Sequence, residues 1–471
     1  MKTQLASPEV IRKIHETSLA ILEKTGVIVP HPAMLELFAA AGAKVDREKQ
    51  RVRIPAGLVM KMLKLAGKKY TLYGRDIEKK AEFGMGKTNY NSIAGEALWL
   101  ENPGEERRYT EFSDVAKAVR LADGLEMINI CGAMSDPHGM PVSWRCVAVA
   151  AEMIRNTVKP ITFWFHDRAS ACFIVELVTA LRGGEKAAAE KPLCYPFLEP
   201  ISPLSFPFDG IDLLFETSRI DMPVHIGPMA QMGMSAPCTI AGTIALENAE
   251  ILAGICITQL VKKGIPVCYG GICHAFDMSS TQMIFSGPEQ AIFGVLACQM
   301  GKFYGLPVYV NNGLTDSKVP DAQAGMEIAA TLFAGRSAGA DIFGHQGICG
   351  VDQATSLDML VLQNEVISYV ESINREVEFS AETFALKIIE EIGPKGSFLE
   401  HEHTLEHFRK ELYFPRLADR NFYEPWKNKG AKDMAERVAE RKKEILSSHQ
   451  PHPIDTKLDQ ELSRIVEAAK R

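Results

Sequence analysis

From residue 160 onward the chain repeats one unit: a proline or aspartate, a short apolar run, a polar or glycine-rich turn, and a helix. The runs are PITFWF (160–165), PLCYPF (192–197), PVHIGPM (223–229), PVCYGGI (266–272), PVYVNNG (307–313) and DIFGHQG (341–347). Nearly every position in each is apolar, which predicts strands buried on both faces and therefore a parallel sheet. The helices between them are long and rich in small residues, as in CTIAGTIALENAEILAGICITQLV (238–261). EMINICGAM (126–134), flanked by helical patterns, supplies a seventh unit, and TNYNSIAGEALWL (88–100) an eighth. Eight βα units across residues 87–375 predict a (β/α)8 TIM barrel. An open doubly wound sheet is the competitor, but no GxGxxG turn follows any of these strands.

The flanks read differently. Residues 1–86 hold two helical patterns, PEVIRKIHETSLAILEKTG and PAMLELFAAAG, and two short strand-like pieces, VRIPAGL and YTLYGRD. They predict a small N-terminal cap. Residues 376–471 are helical stretches around EHEHTLEHFRKELYFPRLADRNFYEPW, a C-terminal extension expected to pack on the barrel or on another subunit. A net charge of −7 gives no support for a nucleic-acid face. No run approaches 18 uncharged apolar residues, and charges interrupt the apolar positions of the N-terminus. A cytoplasmic location is therefore expected. The ten cysteines lie mostly in apolar segments and form no CxxC pair, as reduced, buried thiols would.

In a barrel of this kind the chemistry gathers where the strands end. The exits here carry Tyr90, Asn91 and Ser92; Ser135, Asp136 and His138; Phe165, His166 and Asp167; Phe197 and Glu199; Met229 and Gln231; His274 and Phe276; Asn311, Asn312 and Asp316; and His345 and Gln346. Amides, histidines, aromatics and a few acids suit a small ligand with charged and apolar parts. Phe163, Trp164, Phe165, Tyr195, Phe197 and Tyr269 lie on strands, where alternation turns about half of them inward. Aromatic faces hold a quaternary ammonium by cation–π attraction, at about 0.5–2 kcal/mol each. Mid-strand His225 reads as a core residue; His166, His274 and His345, at exits, are better placed for chemistry. Asn312, Asp316 and His345 are the candidate catalytic groups. Phe165, His166, Phe197, Glu199, Gln231, Tyr269, His274, Asn311 and Gln346 are the candidate substrate contacts. No zinc-site spacing, GxSxG elbow or P-loop occurs, and buried thiols are the better reading of Cys268 and Cys273.

Three stretches, AGEALWLENPGEERRYTEFSDVAKAVRLADGL, GLTDSKVPDAQAGMEIAATLFAGRSAGADIFGHQGIC and FLEHEHTLEHFRKELYFPRLADRNFYEPW, resemble the trimethylamine methyltransferase superfamily, and the similarity runs along nearly the whole chain. All residues are standard, so the chain resembles the branch lacking pyrrolysine. The resemblance implies a (β/α)8 barrel that demethylates a quaternary amine, glycine betaine first among them. It further implies methyl transfer to the Co(I) corrinoid of a separate partner protein, no metal of its own, and a homo-oligomer. Asp136 and His138 have the spacing that opens the DxHxxG cobalamin signature, with Pro141 in place of its glycine. A quaternary nitrogen leaves as a neutral amine, so direct displacement needs no protein nucleophile. Arg168, Lys318, His345 and helix N-terminal amides are the candidates for a substrate carboxylate. Two rival readings stay open: a zinc-dependent methanol or thiol corrinoid methyltransferase, and a betaine-binding protein without turnover.

Overall fold

The structure, a computed structural model, describes residues 3–471. Eight short parallel strands alternate with eight helices: β1 (Asn89–Ser92), α1 (Phe112–Gly124), β2 (Cys131–Gly132), α2 (Val142–Asn156), β3 (Ile161–Thr162), α3 (Arg168–Arg182), β4 (Phe197–Leu198), α4 (Phe208–Thr217), β5 (Val224–Ile226), α5 (Ile240–Val261), β6 (Val267–Gly271), α6 (Pro288–Tyr304), β7 (Val308–Val310), α7 (Ala322–Ala338), β8 (Ile342–Gln346) and α8 (Leu357–Ile373). Six of the strands form one parallel sheet in the order β4-β5-β6-β7-β8-β1. β2 and β3 pair in parallel as a second sheet. Ser92 N donates to Ile130 O at 3.3 Å at one edge, and Ile161 N to Leu193 O at 3.2 Å at the other. The eighth apolar run thus splits. Only Asn89–Ser92 joins the parallel sheet, while Leu98–Leu100 pairs with Ala354–Ser356 in a different one.

Helix ends follow from local chemistry. Asp321 caps α7 by accepting from Ala324 N at 2.9 Å, and Gly339 closes it in the left-handed region at φ 84°. α5 is long and apolar enough to cross a membrane, yet 83% of that stretch is buried inside the fold.

Two apolar cores result. The larger lies between the helices and the sheet. The smaller gathers Ile130, Tyr195, Cys268, Tyr309 and Ile342 with Tyr70, Leu72 and Phe83 of an antiparallel hairpin, Tyr70–Tyr73 with Lys80–Phe83. That hairpin covers the amino ends of the strands: Tyr73 N bonds Pro192 O, and Gly84 N bonds Asp341 Oδ1 at 2.8 Å. His225 sits in this core, stacked on Tyr195 at 3.6 Å and bonded to the Tyr70 hydroxyl at 2.6 Å. With that end closed, only the carboxyl ends are left to build a site.

The N-terminal region holds three helices (Pro8–Ala20, Pro32–Ala40 and Ala56–Leu65), where the sequence pattern suggested two, and a small antiparallel sheet. At the other terminus, Met434–Ser448 packs on α8, its Lys442 paired with Asp358 at 2.7 Å, and Thr456–Ala469 packs on α2 and α3. Ahead of both, the helices Leu386–Ile392, Glu402–Glu411 and Tyr423–Asn428 fully bury no residue.

Candidate active site

At the end of β8 the backbone breaks its register between Phe343 and Gln346, and His345 takes a left-handed φ of 65°. For a residue with a side chain that conformation costs about 1–3 kcal/mol, which the surrounding packing must supply. The irregularity brings the His345 ring to 6.2 Å from Trp164 and 5.7 Å from Tyr309. Burial pulls its imidazole down to about 4, so it is neutral, and its Nδ1 has no partner among the described residues.

Trp164 forms the opposite wall. Its indole N–H donates to Gly95 O at 2.8 Å, and Phe197 meets it edge-on at 6.5 Å. Phe197 also lies 5.3 Å from Tyr309. Phe163 and Phe165, the alternate residues, stack on each other at 4.8 Å, as strand alternation requires. A cavity of about 530 Å³ opens beside this wall, and Phe165, His166, Phe197, Glu199 and Gln231 all line it.

Behind it lies a polar group. Asn311 Nδ2 approaches His274 Nε2 at 3.2 Å, and Gln346 Nε2 donates to Gly344 O at 3.1 Å. His274 stacks on Phe285 at 4.4 Å, and burial, with His345 nearby, pulls it down to about 3. Asn91 Oδ1, Asn311 Oδ1, Gln346 Oε1 and His274 Nδ1 are buried without partners among the described residues. Such atoms each cost about 1–3 kcal/mol when left unpaired, so their clustering marks a place built for a polar ligand.

Several expected residues stand elsewhere. Asn312 faces away from the cavity, bonding Gln290 O at 3.2 Å and Thr331 O at 3.1 Å between α6 and α7. Consecutive residues leave a strand on opposite faces, so Asn311 and Asn312 cannot both point inward. Tyr269 turns outward for the same reason and donates its hydroxyl to Asn248 of α5 at 3.1 Å. Asp316 braces a loop by accepting from Phe285 N at 2.8 Å. Lys318 bonds the carbonyl of Asp316, not its carboxylate, at 2.9 Å, and Gln323 bonds Glu327 at 2.8 Å on the surface. Arg168 pairs with Glu216 at 2.9 Å and Asp212 at 3.3 Å. His138 stacks on exposed Tyr109 at 4.1 Å. His401, His403 and His407 lie on the unburied C-terminal helix, and Cys268 donates to Pro307 O. No three His, Cys, Asp or Glu side chains converge as a metal site among the described residues.

Sequence reasoning missed an acidic pair. Glu96 follows β1 and Asp352 follows β8, and each carboxyl acts on the protonation of the other. Burial, then Asp352, Asp136 and Glu199, push Glu96 well up. Burial, with Asp352 nearby, pushes Glu199 up to about 7. Asp136 is held low despite its burial, by His166 and by Arg145 at 2.8 Å. Burial works against the His166 charge, yet Asp136, Cys146 and the Val142 carbonyl outweigh it and raise the imidazole to about 10. In the sequence, Glu96 falls inside the run 88–100, whose exit is read from Tyr90, Asn91 and Ser92, and DIFGHQG (341–347) offers only His345 and Gln346, so both acids are passed over. Asp352 and its neighbour Val351 are left-handed, at φ 54° and 60°, in a loop whose sequence, GVDQ, gives no sign of it.

Known proteins agree with this architecture. The glycine betaine methyltransferase of Desulfitobacterium hafniense strain Y51 is 30% identical over 467 residues, 99% of this chain and 97% of that one. The trimethylamine methyltransferase MttB of Methanosarcina thermophila is 30% identical, over 97% and 95% of the two chains. In structure, the chain is similar to the monomethylamine methyltransferase MtmB of Methanosarcina barkeri, with a TM-score of 0.50 at 12% identity, covering 93% of this chain and 92% of that one. The trimethylamine methyltransferase (MTTB) family profile matches residues 1–471, and the chain belongs to that family.

Proposed function

We propose that the protein takes a methyl group from a quaternary amine, with glycine betaine the first substrate to test, and passes it to the Co(I) corrinoid of a separate protein. One observation carries this reading. Trp164, Phe197, Tyr309 and His345 form an aromatic enclosure, and the carboxyl-bearing Glu199 lines the same cavity as Trp164 and Phe197. Aromatic faces and carboxylates both attract a fixed cation, and neither offers a nucleophile able to compete for the methyl group. The name of the Desulfitobacterium relative supports the choice of substrate.

In this reading the eight parallel strands close as a (β/α)8 barrel (87–375), between an N-terminal cap (1–86) and a C-terminal extension (376–471). The unbroken order of strand neighbours and the two edge hydrogen bonds support that closure. The corrinoid supplies a strong nucleophile for in-line attack on the N-methyl carbon. The chain's own residues hold the other partner. The aromatic wall fixes the ammonium, Asn311, His274, Gln346 and Gln231 orient the polar end, and neutral His345 limits the methyl group's freedom without adding charge. Ile201, 61% exposed, and Met234, 58% exposed, rim the cavity and offer an apolar seat suited to a macrocycle edge. The unburied helices of the C-terminal extension support self-association.

The test is direct. The protein, Co(I) cobalamin and a panel of quaternary amines are mixed, and the cobalt absorption spectrum is followed. A change with glycine betaine is expected; no change with any of the panel overturns the reading.

A further inference from the structure

We propose that His166 reads an anionic group on the substrate, so that the cavity takes zwitterionic methylammonium compounds in preference to amines whose only charge is the ammonium. The inference rests on the function proposed above and names the substrate class within it.

The lining of the cavity carries the chemistry for both signs of charge. Trp164, Phe197 and Glu199 suit a fixed cation. Of all the lining residues, His166 is the one able to carry a positive charge. The acids on the lining are Glu199 and Asp209, the latter exposed to solvent.

The surroundings of the ring hold it as a cation. His166 Nδ1 donates to the Val142 carbonyl at 3.2 Å, and Nε2 stands 3.7 Å from Asp136 Oδ1. Both nitrogens face oxygens that only accept, and only the imidazolium has two N–H groups to offer them. Asp136 cannot neutralise the ring alone, because its Oδ2 already accepts from Arg145 Nη1 at 2.8 Å. One carboxylate thus serves two cations, and a positive charge is left over. The Cys146 thiol of α2 is the other titratable group against the ring, and the sum of these contacts raises the imidazole to about 10. Glu96, the further acid near Asp136, is kept protonated by burial and adds no charge near neutral pH. Arg168, two residues along the chain, spends its charge on Glu216 and Asp212.

At 3.7 Å the contact with Asp136 is an ion pair, too long for a hydrogen bond. The Nε2–H is therefore the donor left for a ligand, and a carboxylate oxygen that accepts it makes a charge-assisted bond. A betaine with its ammonium against Trp164, Phe197 and Glu199 and its carboxylate at His166 meets an opposite charge at each end. Choline, with a hydroxyl at that end, leaves the imidazolium unanswered.

Calorimetric titration tests this without corrinoid. Glycine betaine, choline and tetramethylammonium are titrated into the protein at neutral pH, and glycine betaine is expected to bind tightest, by about 10- to 100-fold. His166→Gln keeps a hydrogen-bond donor and removes the charge, and is expected to lose most of that preference. The preference is a ratio of affinities read on one sample, so partial unfolding of the variant does not alter it. A wild-type protein that binds choline or tetramethylammonium as tightly as glycine betaine overturns the inference and leaves the proposed function standing. A His166→Gln protein that keeps the whole preference overturns it equally. Failure of every quaternary ammonium to bind overturns both.

Discussion

Tyr309 rests its hydroxyl against the Cα of Gly344, in the space a side chain at 344 would fill. The next residue is His345, at φ 65°, so a cradle made for Tyr309 also sets where the imidazole stands. Tyr309 is 1% exposed and has nowhere to retreat. Gly344→Ala is therefore expected to cost about 1–3 kcal/mol of stability through overpacking. It should lower methyl transfer by more than that loss explains, because His345 is displaced. Denaturant melts and initial rates on the same sample separate the two effects.

Asn311 and Asn312 are neighbours with opposite duties. Asn311 meets His274 in the buried polar group behind the cavity, whereas Asn312 ties α6 to α7 through two carbonyls. Asn312→Ala is expected to lower stability by about 1–3 kcal/mol, by removing both buried hydrogen bonds and leaving a cavity between α6 and α7. Asn311→Ala should leave the melting temperature nearly unchanged and weaken substrate binding. Affinity and melting measurements on both variants check the division of labour.

Trp164 supplies the largest aromatic face of the enclosure, anchored by its bond to Gly95. Replacing it with alanine removes a cation–π contact of about 0.5–2 kcal/mol, and its packing against Phe197 as well. Affinity for tetramethylammonium should fall about tenfold or more, while Trp164→Phe keeps part of it. Equal affinities in all three proteins would remove Trp164 from the site.

These residues also show how far the sequence could be read. The apolar runs behind prolines were legible as strands because burial on both faces leaves an unmistakable composition, and five of the candidate contacts do line one cavity. Orientation was not legible. Tyr269 and Asn312 have the right position along their strands and the wrong face, because the eight strands are too short for an alternating pattern to form. Glu96 and Asp352 were hidden for another reason. Each lies beyond the strand end, in a loop whose path is set by contacts with distant segments.

The buried acids give stability a definite pH slope. Burial raises Glu247 to about 8 and Glu250 to about 7, against hydrogen bonds from Cys273 N and Leu204 N that favour the charged form. An acid raised in the folded state binds more protons there than when unfolded, so stability falls as pH climbs from the ordinary carboxylate range to the raised value. His166, raised to about 10, has the same sign above its unfolded value near 6.5. His274 and His345, pulled down to about 3 and about 4, act oppositely, but their effect is complete by about pH 6.5. Between pH 6.5 and 8.5 the net slope is therefore downward. Glu247→Gln keeps the acceptor for Cys273 N at 2.7 Å and removes the charge. Its melting temperature should depend less steeply on pH across that range than the wild type's.

The C-terminal extension leads to the last prediction. Phe379 is 77% exposed, Leu399 81% and Phe422 88%, and no residue of the three helices among them is fully buried. A surface this apolar is characteristic of permanent interfaces, which resemble a divided core, more than of transient ones. In the proposed reaction the corrinoid protein must come and go, whereas a second copy of the chain is always present. Self-association through residues 376–430 is the outcome expected. Light scattering should give a mass at least twice that of one chain. The double variant Leu399→Glu, Phe422→Glu should shift it toward one chain while quaternary-amine binding persists, because Trp164, Phe197 and His345 lie outside the extension. A wild-type protein that is monomeric at working concentration would refute self-association through this segment.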